Sequence, residues 1–331
     1  MRKIKIAQIG LNFNSHSCEI FTSLKKQSDI FEIAGYVLPE NEKERLKHKL
    51  NAVAGFKELT LDEVLNDPEI EAVTIETDEV FLTKYALMAA KANKHIHMEK
   101  PGGTDKNMFN ELIDVMKKTG KVFHTGYMYR YNPYIQELFK QVDNGELGEI
   151  ISVEAQMNCI HTPENRQWLE SFPGGMTFFL GCHLVDLIYR IQGEPKNIIP
   201  LNTCTHTDGV TAQDYGMAVF EYDNGISFLK TSARELGGFR RRQLVVTGTK
   251  ATVELKPLEW YTGNGTIATT RTIRSMESWV EESVSEESPP FDRYDNMMAS
   301  FASMVRGEKT NPYTLEYEKN LFEIILKACG E

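Results

Sequence analysis

The sequence has few cysteines and no excess of positive charge. Its five cysteines are an odd number, are widely spaced and include no Cys-x-x-Cys pair. This pattern indicates reduced thiols in the cytoplasm rather than a disulfide framework. The 37 basic residues are outnumbered by 47 acidic residues, and the formal net charge is −10. A surface of this charge repels a phosphate backbone on average, so nucleic acid is not an expected partner.

The sequence also lacks a candidate membrane span, an internal repeat and a secretion signal. Residues 1–10 are too short and too polar a stretch for the apolar core of a signal peptide, and they alternate like a strand instead. Apolar residues make up 41% of the chain and charged residues 25%, which is the balance of a globular protein. A length of 331 residues exceeds the usual size of a single core. We therefore predict two domains in a cytoplasmic protein with no membrane partner.

Strand and helix patterns alternate in the first part of the chain. The strand patterns lie at 3–9, 32–37, 72–75, 95–98 and 122–124, and the helical patterns at 15–26, 41–50, 61–66, 83–92 and 106–118. Alternation with short connections is typical of a parallel, doubly wound sheet. We therefore predict a Rossmann-type first domain at residues 1–125.

After residue 125 the pattern changes. Helices are predicted at 134–142, 176–191, 292–306 and 314–327, strands at 150–157, 215–221, 226–231, 243–247 and 251–255, and a mobile acidic loop at 283–290. Asp223, Asn224 and Gly225 form a hairpin signal, because asparagine and glycine tolerate the positive φ angles of a tight turn. Hairpins pair strands antiparallel, so residues 126–331 are predicted to form a separate α+β domain.

The turn after the first strand is where a dinucleotide-binding loop is expected. Glycines there let the backbone approach a pyrophosphate at the N-terminus of the next helix. Only Gly10 stands where a glycine is expected, and Asn12 and Ser15 fill the other two positions. Asparagine can adopt the left-handed conformation, and serine is small and caps helices. A dinucleotide loop is thus compatible with these residues, and an ordinary strand–turn–helix connection with Ser15 as N-cap is the alternative.

The second strand ends without the acidic residue that holds ribose hydroxyls in such domains. Residues 35–39 fill that place, Glu40 is the nearest acid, and no arginine is present there for a 2′-phosphate. The sequence therefore does not choose between NAD and NADP.

Four further motifs together resemble one family. They are Glu-Lys-Pro at 99–101 after a strand, the tyrosine- and arginine-containing segment 126–133, residues 144–150, and Gly-x-His-x-x-Asp at 181–186. In this order and spacing they resemble the glucose–fructose oxidoreductase / inositol dehydrogenase (Gfo/Idh/MocA) family. The resemblance runs from the first strand to the last helix.

The resemblance implies a Rossmann domain followed by an α+β domain with a large open, mostly antiparallel sheet. Members of the family are typically NAD(P)-dependent dehydrogenases or reductases of sugars and cyclitols, and many are dimers or tetramers through that sheet. For this chain it implies NAD or NADP as cofactor, with NAD slightly favoured, and a sugar- or polyol-like substrate. It also implies a homodimer or homotetramer.

The expected site residues follow from the loop, from nearby aromatic residues and from the resemblance. Cofactor contacts are assigned to Gly10, Asn12, Phe13, Asn14, Ser15, Thr77, Glu99, Lys100 and Pro101. Substrate contacts are assigned to Tyr127, Arg130, Trp168 and His183. In the family the motif lysine touches the nicotinamide ribose and the substrate, and the helix histidine touches the reacting hydroxyl. The resemblance therefore implies that Lys100 and His183 are the catalytic residues.

The chemistry of carbinol oxidation suits these two residue types. It needs a hydride acceptor and a base for the hydroxyl proton, and a positioned base contributes ~10²–10⁴-fold in rate. Histidine titrates near neutral pH, and a buried lysine can transfer a proton or polarise a carbonyl oxygen. Two structural alternatives stay open. In the first, His183 is a core residue, because its helix is apolar on nearly every face. In the second, Lys100 is a surface residue before a proline turn.

Several positions depart from the family pattern. Many members carry an aspartate four residues before the histidine, where this chain has Phe179, and a phenyl ring cannot share a proton. Of the family's Thr-Pro-Asn turn and following histidine, only Thr77 is present, and Leu82 replaces the histidine. These departures support a second hypothesis, a cofactor- or sugar-binding protein of the same fold that has lost efficient turnover.

The remaining candidates are three histidines, two cysteines and a run of arginines. The histidines and cysteines are His161, His183, His206, Cys159 and Cys182, and their spacing matches no ligand pattern, so we predict no metal. The arginines at 240–242 are predicted to begin a strand and to face solvent or a ligand.

Overall fold

The computed structural model describes residues 2–274 and 282–331, and the chain forms two compact units. The first consists of Met1–Met128 and Tyr294–Phe322, and the second of Tyr129–Arg293 and Glu323–Glu331. The domain prediction divides the chain once, after residue 125, whereas the closing segment 294–322 is grouped with the first unit.

The first unit contains a parallel five-stranded sheet. Its strands are β1 (Ile4–Ile9), β2 (Phe31–Val37), β3 (Ala72–Ile75), β4 (His95–Met98) and β5 (Phe123–Thr125), in the order β2-β1-β3-β4-β5. The helices between them are α1 (Ser17–Lys26), α2 (Glu42–Arg45), α3 (Leu61–Asn66), α4 (Leu82–Lys91) and α5 (Lys106–Thr119). The central strand β3 is buried at every position, as expected of a parallel sheet covered on both faces. The predicted doubly wound sheet is confirmed.

The second unit is built on an eight-stranded sheet and a two-stranded ribbon. Its strands are β6 (Ile150–Asn158), β7 (Asn197–Pro200), β8 (Tyr215–Glu221), β9 (Ile226–Ser232), β10 (Gln243–Gly248), β11 (Thr252–Leu255), β12 (Trp260–Tyr261), β13 (Thr266–Ile267), β14 (Thr269–Ile273) and β15 (Ser283–Glu287). The large sheet has the order β15-β14-β11-β10-β6-β9-β8-β7. Within it β6 and β9 are parallel and the other neighbours are antiparallel. The predicted mostly antiparallel second sheet is confirmed.

Five helices complete the chain. They are α6 (Pro133–Asp143), α7 (Pro163–Trp168), α8 (Cys182–Gln192), α9 (Asp295–Val305) and α10 (Leu315–Cys329). α8 continues directly from a π-helix, Thr177–Gly181, where the sequence predicts one uniform helix, and it packs on β6 and β9. α9 belongs to the first unit, where Ser23 of α1 donates a 2.6 Å hydrogen bond to Asp295. None of the described helices is both long enough and apolar enough to cross a bilayer.

Sequence signals that depend only on neighbouring residues predict the hairpin turn but not the structure of every other segment. The predicted hairpin between β8 and β9 is confirmed, with the Tyr222 N–H donating to the Gly225 carbonyl at 3.0 Å. The predicted mobile loop at 283–290 is wrong for most of its length, because Ser283–Glu287 forms the edge strand β15 paired with β14. All five residues of β15 are exposed, and charged residues suit an exposed edge. The predicted helix at 41–50 is divided into α2 and a 3₁₀ segment, Lys47–Val53.

Candidate nucleotide-binding and substrate-binding residues

The loop after β1 has the backbone that a close approach requires. Gly10 has φ +97°, and a Cβ there would lie 2.6–2.7 Å from backbone atoms of Glu76 and Thr77, so only glycine fits. Asn12 is left-handed, with φ 45°, and its side-chain amide donates a 2.7 Å hydrogen bond to the Thr77 carbonyl. The loop is therefore seated against the turn after β3, and Thr77 is fully buried beside it.

The N–H groups of this loop already have side-chain acceptors. Leu11 N–H donates to Glu42 Oε2 at 2.9 Å, and Phe13 N–H donates to Asp78 Oδ1 at 2.8 Å. The N–H groups of Asn14 and Ser15 both donate to Asn12 Oδ1 at 2.8 Å. Four backbone donors of this loop, at positions 11, 13, 14 and 15, thus bind this chain's own oxygens, where a dinucleotide loop presents such groups to a phosphate.

The first helix begins later than a Ser15 cap requires. α1 starts at Ser17, and its N-cap position is His16, so the alternative in which Ser15 caps the helix is wrong. Ser15 is 9% exposed, and neither its hydroxyl nor the buried Asn14 Nδ2 has a hydrogen-bond partner within the described residues. Both are donors that a phosphate oxygen can accept from. With the Gly10 cradle, the residues present fit a dinucleotide in this loop.

Buried carboxyl groups surround the loop. Glu42, Glu76 and Glu79 are at most 1% exposed. Burial raises the pKa of Glu42 to about 7, against the opposing effect of the hydrogen bond from Leu11. Burial raises the pKa of Glu79 to about 7, while the charge of Lys100 lowers it. Burial, reinforced by the neighbouring Glu99, raises the pKa of Glu76 well above its ordinary value.

Lys100 is a buried residue, so the alternative of a surface lysine before a proline turn is wrong. It is 2% exposed, and Glu99 is equally buried. The Lys100 ammonium lies 3.8 Å from Glu99 Oε1. Glu99 also lies against Gly126, where a Cβ would come within 2.8 Å of Glu99 Oε2. Lys100 and Glu99 are thus both buried within the first unit.

A second group of buried polar side chains lies on β4, on β5 and at the residue after β3, and sequence analysis missed it. His97 Nε2 is 3.7 Å from Glu76 Oε1, and His97 Nδ1 is 2.7 Å from His124 Nδ1. Burial lowers the pKa of His97 to about 3, so its imidazole is neutral at physiological pH. A strand pattern does not reveal that such side chains meet, because it assigns the positions of His97 and His124 to the core.

In the second unit His183 is also buried. It is 2% exposed. Its imidazole ring meets the Tyr129 ring edge to face, with a centroid distance of 5.0 Å and an interplanar angle of 81°. One turn further along α8, Asp186 binds Arg130 through two nitrogens, with Nε–Oδ2 2.9 Å and Nη2–Oδ1 2.7 Å. Arg130, expected at the substrate, is therefore in a buried ion pair.

Tyr129 is held by a charged cluster. Its hydroxyl donates to Glu259, and Arg242 donates to Glu259 Oε1 at 2.6 Å. Arg293 Nε lies 2.8 Å from Glu259 Oε2. Burial opposes ionisation of Glu259, but Arg293 and Arg242 outweigh it and lower the pKa of Glu259. Of the three arginines at 240–242, Arg242 is buried. The prediction that these arginines begin a strand and face solvent or a ligand did not anticipate this burial.

Aromatic rings surround position 179. The Phe179 ring meets Trp168 at a centroid distance of 5.0 Å and is parallel to Phe172 within 8°. His161 lies 6.4 Å from Phe179. Burial and Arg242 lower the pKa of His161, so its imidazole is neutral near pH 7. Phe172 and Phe179 are at most 6% exposed, so these two rings belong to the packed interior, whereas Trp168 is partly exposed.

The expected residues thus divide between the two units. The first unit holds Gly10, Asn12, Phe13, Asn14, Ser15, Thr77, Glu99, Lys100, Pro101 and Tyr127, and the second holds Arg130, Trp168 and His183. Tyr127 is 1% exposed. Glu42 and Asp78 were missed as loop partners; Glu42 is the next acid after Glu40, which is the one signal that could have indicated it. Among the described residues no group of three histidine, cysteine, aspartate or glutamate side chains is arranged to hold a metal ion.

A doubly wound unit with a glycine turn at the end of β1, followed by a unit with a large open sheet, defines a Rossmann-type two-domain protein. The chain belongs to the Gfo/Idh/MocA family. Residues 4–127 match the family described as "Oxidoreductase family, NAD-binding Rossmann fold", and residues 135–254 match the "GFO/IDH/MocA C-terminal domain". The resemblance predicted from the motifs is confirmed.

The curated relatives are distant. An uncharacterized oxidoreductase, ORF334 of Rhizobium meliloti, is 26% identical over 59% of this chain and 58% of its own length. D-glucoside 3-dehydrogenase of Escherichia coli is 27% identical over 66% of this chain and 72% of its own. Myo-inositol 2-dehydrogenase of Thermotoga maritima is 26% identical over 70% and 69%. The first of these matches therefore spans less than two thirds of the relative.

Solved structures show the same fold over the whole chain. UDP-N-acetylglucosamine 3-dehydrogenase of Acidithiobacillus ferrooxidans superposes with a TM-score of 0.80 at 17% identity, covering 100% of this chain and 97% of that one. Aldose-aldose oxidoreductase of Caulobacter crescentus superposes with a TM-score of 0.78 at 18% identity, covering 99% and 98%. At these identities the likeness establishes the fold.

Proposed function

We propose that this chain is an NAD(P)-dependent oxidoreductase that transfers a hydride to or from the CH–OH carbon of a sugar- or polyol-like substrate. The observation that carries the proposal is Lys100, a lysine buried to 2% exposure beside Glu99 in the unit that contains the nucleotide loop. Burying an ammonium group has a desolvation cost, and buried ionisable groups with a charged partner are frequent at functional sites. The relatives named for glucoside and inositol oxidation support the substrate class.

The bound nicotinamide supplies the hydride acceptor or donor. Gly10, Asn12, Phe13, Asn14 and Ser15 hold the dinucleotide at the loop, and Thr77, Glu99, Lys100 and Pro101 complete its site. We favour NAD. Glu42 is buried with Oε1 lacking a partner within the described residues, and a ribose hydroxyl is a donor for that oxygen, whereas a 2′-phosphate is repelled by it.

Lys100 and His183 move the substrate proton in this proposal. The Nζ–H of Lys100 donates to the reacting oxygen and stabilises the negative charge that develops there. His183 accepts or returns the proton, and the Tyr129 ring, fixed by Glu259, packs against the imidazole and orients it. Asp186 is bound to Arg130, and position 179, where many family members carry an aspartate, is Phe179 in this chain. Trp168, which is partly exposed, supplies a stacking surface for the substrate.

Replacing Lys100 by alanine tests the role of this residue. We expect K100A to lower kcat by ~10²–10⁴-fold while the protein still binds NADH, because the loop residues are unchanged. The exposed Lys118→Ala on α5 is the matched control and should leave kcat unchanged. Titration with NADH and NADPH by fluorescence comes first, followed by a panel of sugars and cyclitols measured by nicotinamide absorbance. An unchanged kcat in K100A removes Lys100 from the mechanism.

A second function is a binding protein of this fold without efficient turnover. Phe179 among aromatic rings favours it, since a phenyl ring takes no part in proton transfer. Failure of both NADH and NADPH to bind at millimolar concentration supports this second function. Binding followed by a substrate-dependent absorbance change supports the first.

The assembly and location are also part of the proposal. We infer a homodimer or homotetramer formed through the eight-stranded sheet, because its outward face carries apolar side chains on adjacent strands. Ile199 pairs with Val219, and Val219 with Phe228. Ile199 is 39% exposed. The five free cysteines are consistent with the reducing cytoplasm as the location.

A further inference from the structure

One carboxylate connects the nucleotide loop to an arginine. Asp78 Oδ1 accepts the Phe13 N–H at 2.8 Å, and Asp78 Oδ2 accepts from Arg45 Nη2. The side chain of Asp78 is 12% exposed and that of Arg45 38%. The Asp78 carboxylate therefore binds both a loop N–H and a guanidinium group.

These two partners are the ones that a phosphate group uses. A backbone N–H before a helix and an arginine fork are the common ligands of phosphate oxygens. Two more donors lie in the same loop, the Ser15 hydroxyl and the Asn14 side-chain amide, and neither has a partner within the described residues. Ser15 is nine-tenths buried. Unpaired buried donors beside a carboxylate-bound N–H indicate a position built for a larger anion than the carboxylate.

The other acids of the loop do not compete in the same way. Glu42 accepts the Leu11 N–H through Oε2, and its Oε1 has no hydrogen-bond partner within the described residues. Glu79 is fully buried and likewise unpaired through both oxygens. Asp78 alone of these three combines partial exposure, a loop N–H and an ion pair with a partly exposed arginine. It is therefore the carboxylate that can leave the loop into water.

We propose that Asp78 is an internal phosphate mimic, and that a phosphate group of the dinucleotide displaces its carboxylate from Phe13 N–H and takes over Arg45. The proposal rests on the proposed function, because it presupposes a bound dinucleotide. Asp78 thus lowers cofactor affinity, since a carboxylate must give up its hydrogen bond and ion pair before the phosphate binds. Arg45 raises cofactor affinity, because its guanidinium exchanges the Asp78 carboxylate for the phosphate group of the dinucleotide.

Cofactor titration of full-length variants tests this exchange. Asp78→Asn keeps an oxygen acceptor and removes the charge, and Asp78→Ala removes both. We expect either variant to lower the Kd for NADH about tenfold, which is ~1.4 kcal/mol. Arg45→Met should raise the Kd by a similar factor. The control Glu69→Gln removes an exposed carboxylate that is paired with Lys5, and it should leave the Kd within about twofold.

The two phosphates of the cofactors are distinguished by running NADH, NADPH and ADP-ribose in parallel. An equal gain for all three in D78N assigns the exchange to the pyrophosphate, and a gain for NADPH alone assigns it to the 2′-phosphate. Cofactor binding by wild type with unchanged or weaker binding by both folded Asp78 variants overturns the proposal and leaves the proposed function standing. Binding of no dinucleotide by wild type or variants overturns both.

Discussion

Glu42 is a residue in which position and chemistry conflict. It is 1% exposed, and a charged carboxylate in such a place has lost its hydration. Among the described residues, the Leu11 N–H donates a 2.9 Å hydrogen bond to it. Positive φ angles at Glu40 and Asn41 turn the chain back after β2 and place Glu42 at the loop. A residue retained at this cost in the nucleotide loop is consistent with a ligand-binding role.

The raised pKa of Glu42 makes folding stability depend on pH. Between pH 4.5 and about 7 the unfolded chain loses this proton while the folded chain keeps it, so the free energy of unfolding falls as the pH rises through that window. Glu42→Gln keeps an acceptor for Leu11 and removes the titration. We expect E42Q to be more stable than wild type by up to about 3 kcal/mol above pH 7 and equal to it near pH 4.5.

Urea unfolding at pH 5, 6, 7 and 8 measures this difference. Glu69→Gln is the control, because its carboxylate is exposed, and it should show no such divergence from wild type. Some pH dependence remains in E42Q, since burial also raises the pKa of Glu79 and Glu76. A wild-type and an E42Q curve that stay parallel from pH 5 to 8 would mean that Glu42 is not protonated in the folded protein.

At the scale of elements, the ion pair between Arg130 and Asp186 fastens α8 to the segment before α6. Arg130 is 3% exposed and Asp186 1%, so each charge depends on the other for its stability in the interior. The pair therefore fixes the helix that carries His183.

Removing one partner of this pair tests its contribution. We expect Arg130→Met to lower the free energy of unfolding by about 3–5 kcal/mol, because Asp186 is left as an uncompensated buried charge. The double variant R130M/D186N should recover part of that loss, since the unpaired carboxylate is gone. Arg190→Met, which breaks an exposed ion pair with Asp143, is the control and should cost no more than about 1 kcal/mol. A loss as small as that of the control would show that the pair is not structural.

The elements with their own sequence signal were predicted, and those defined by distant partners were not. β3, β4 and β8 have the predicted bounds, because buried runs and alternation are local properties of the chain. β14 and β15 were missed, since polar and exposed residues become strands only through pairing with each other and with β11. The same reason applies at the site. Gly10 and Lys100 follow from motifs, whereas Asp78 reaches Phe13 across 65 residues of sequence.

At the scale of the whole molecule, the outward face of the second unit's sheet predicts self-association. On β8 the residues Gly216, Ala218 and Phe220 are buried, and the alternate residues Met217 and Val219 face outward and are half-exposed. Leu201, bonded to Met217 through the backbone, is 51% exposed. Apolar side chains on neighbouring strands of an open sheet form the kind of continuous patch that a second copy can cover.

A charge placed in this patch should separate the copies. We expect Val219→Lys to reduce the mass measured by light scattering after size exclusion, from that of a dimer or tetramer to a smaller species, because a buried ammonium opposes the interface. Asn264→Lys, in the exposed turn between β12 and β13, adds the same charge away from the sheet and should leave the mass unchanged. An unaltered mass for V219K would place the interface elsewhere.

The π-helix at Thr177–Gly181 has a consequence for how this protein tolerates insertions and deletions. A turn of that kind contains one residue more than the α-helical turn it replaces, so the segment before it is rotated out of step with α8. A helical wheel drawn at constant pitch from Met176 to Ile191 therefore assigns Phe179 and His183 to the wrong relative directions. Deleting a single residue from this stretch would change the direction of the aromatic side chains relative to the imidazole, although no other residue would be altered.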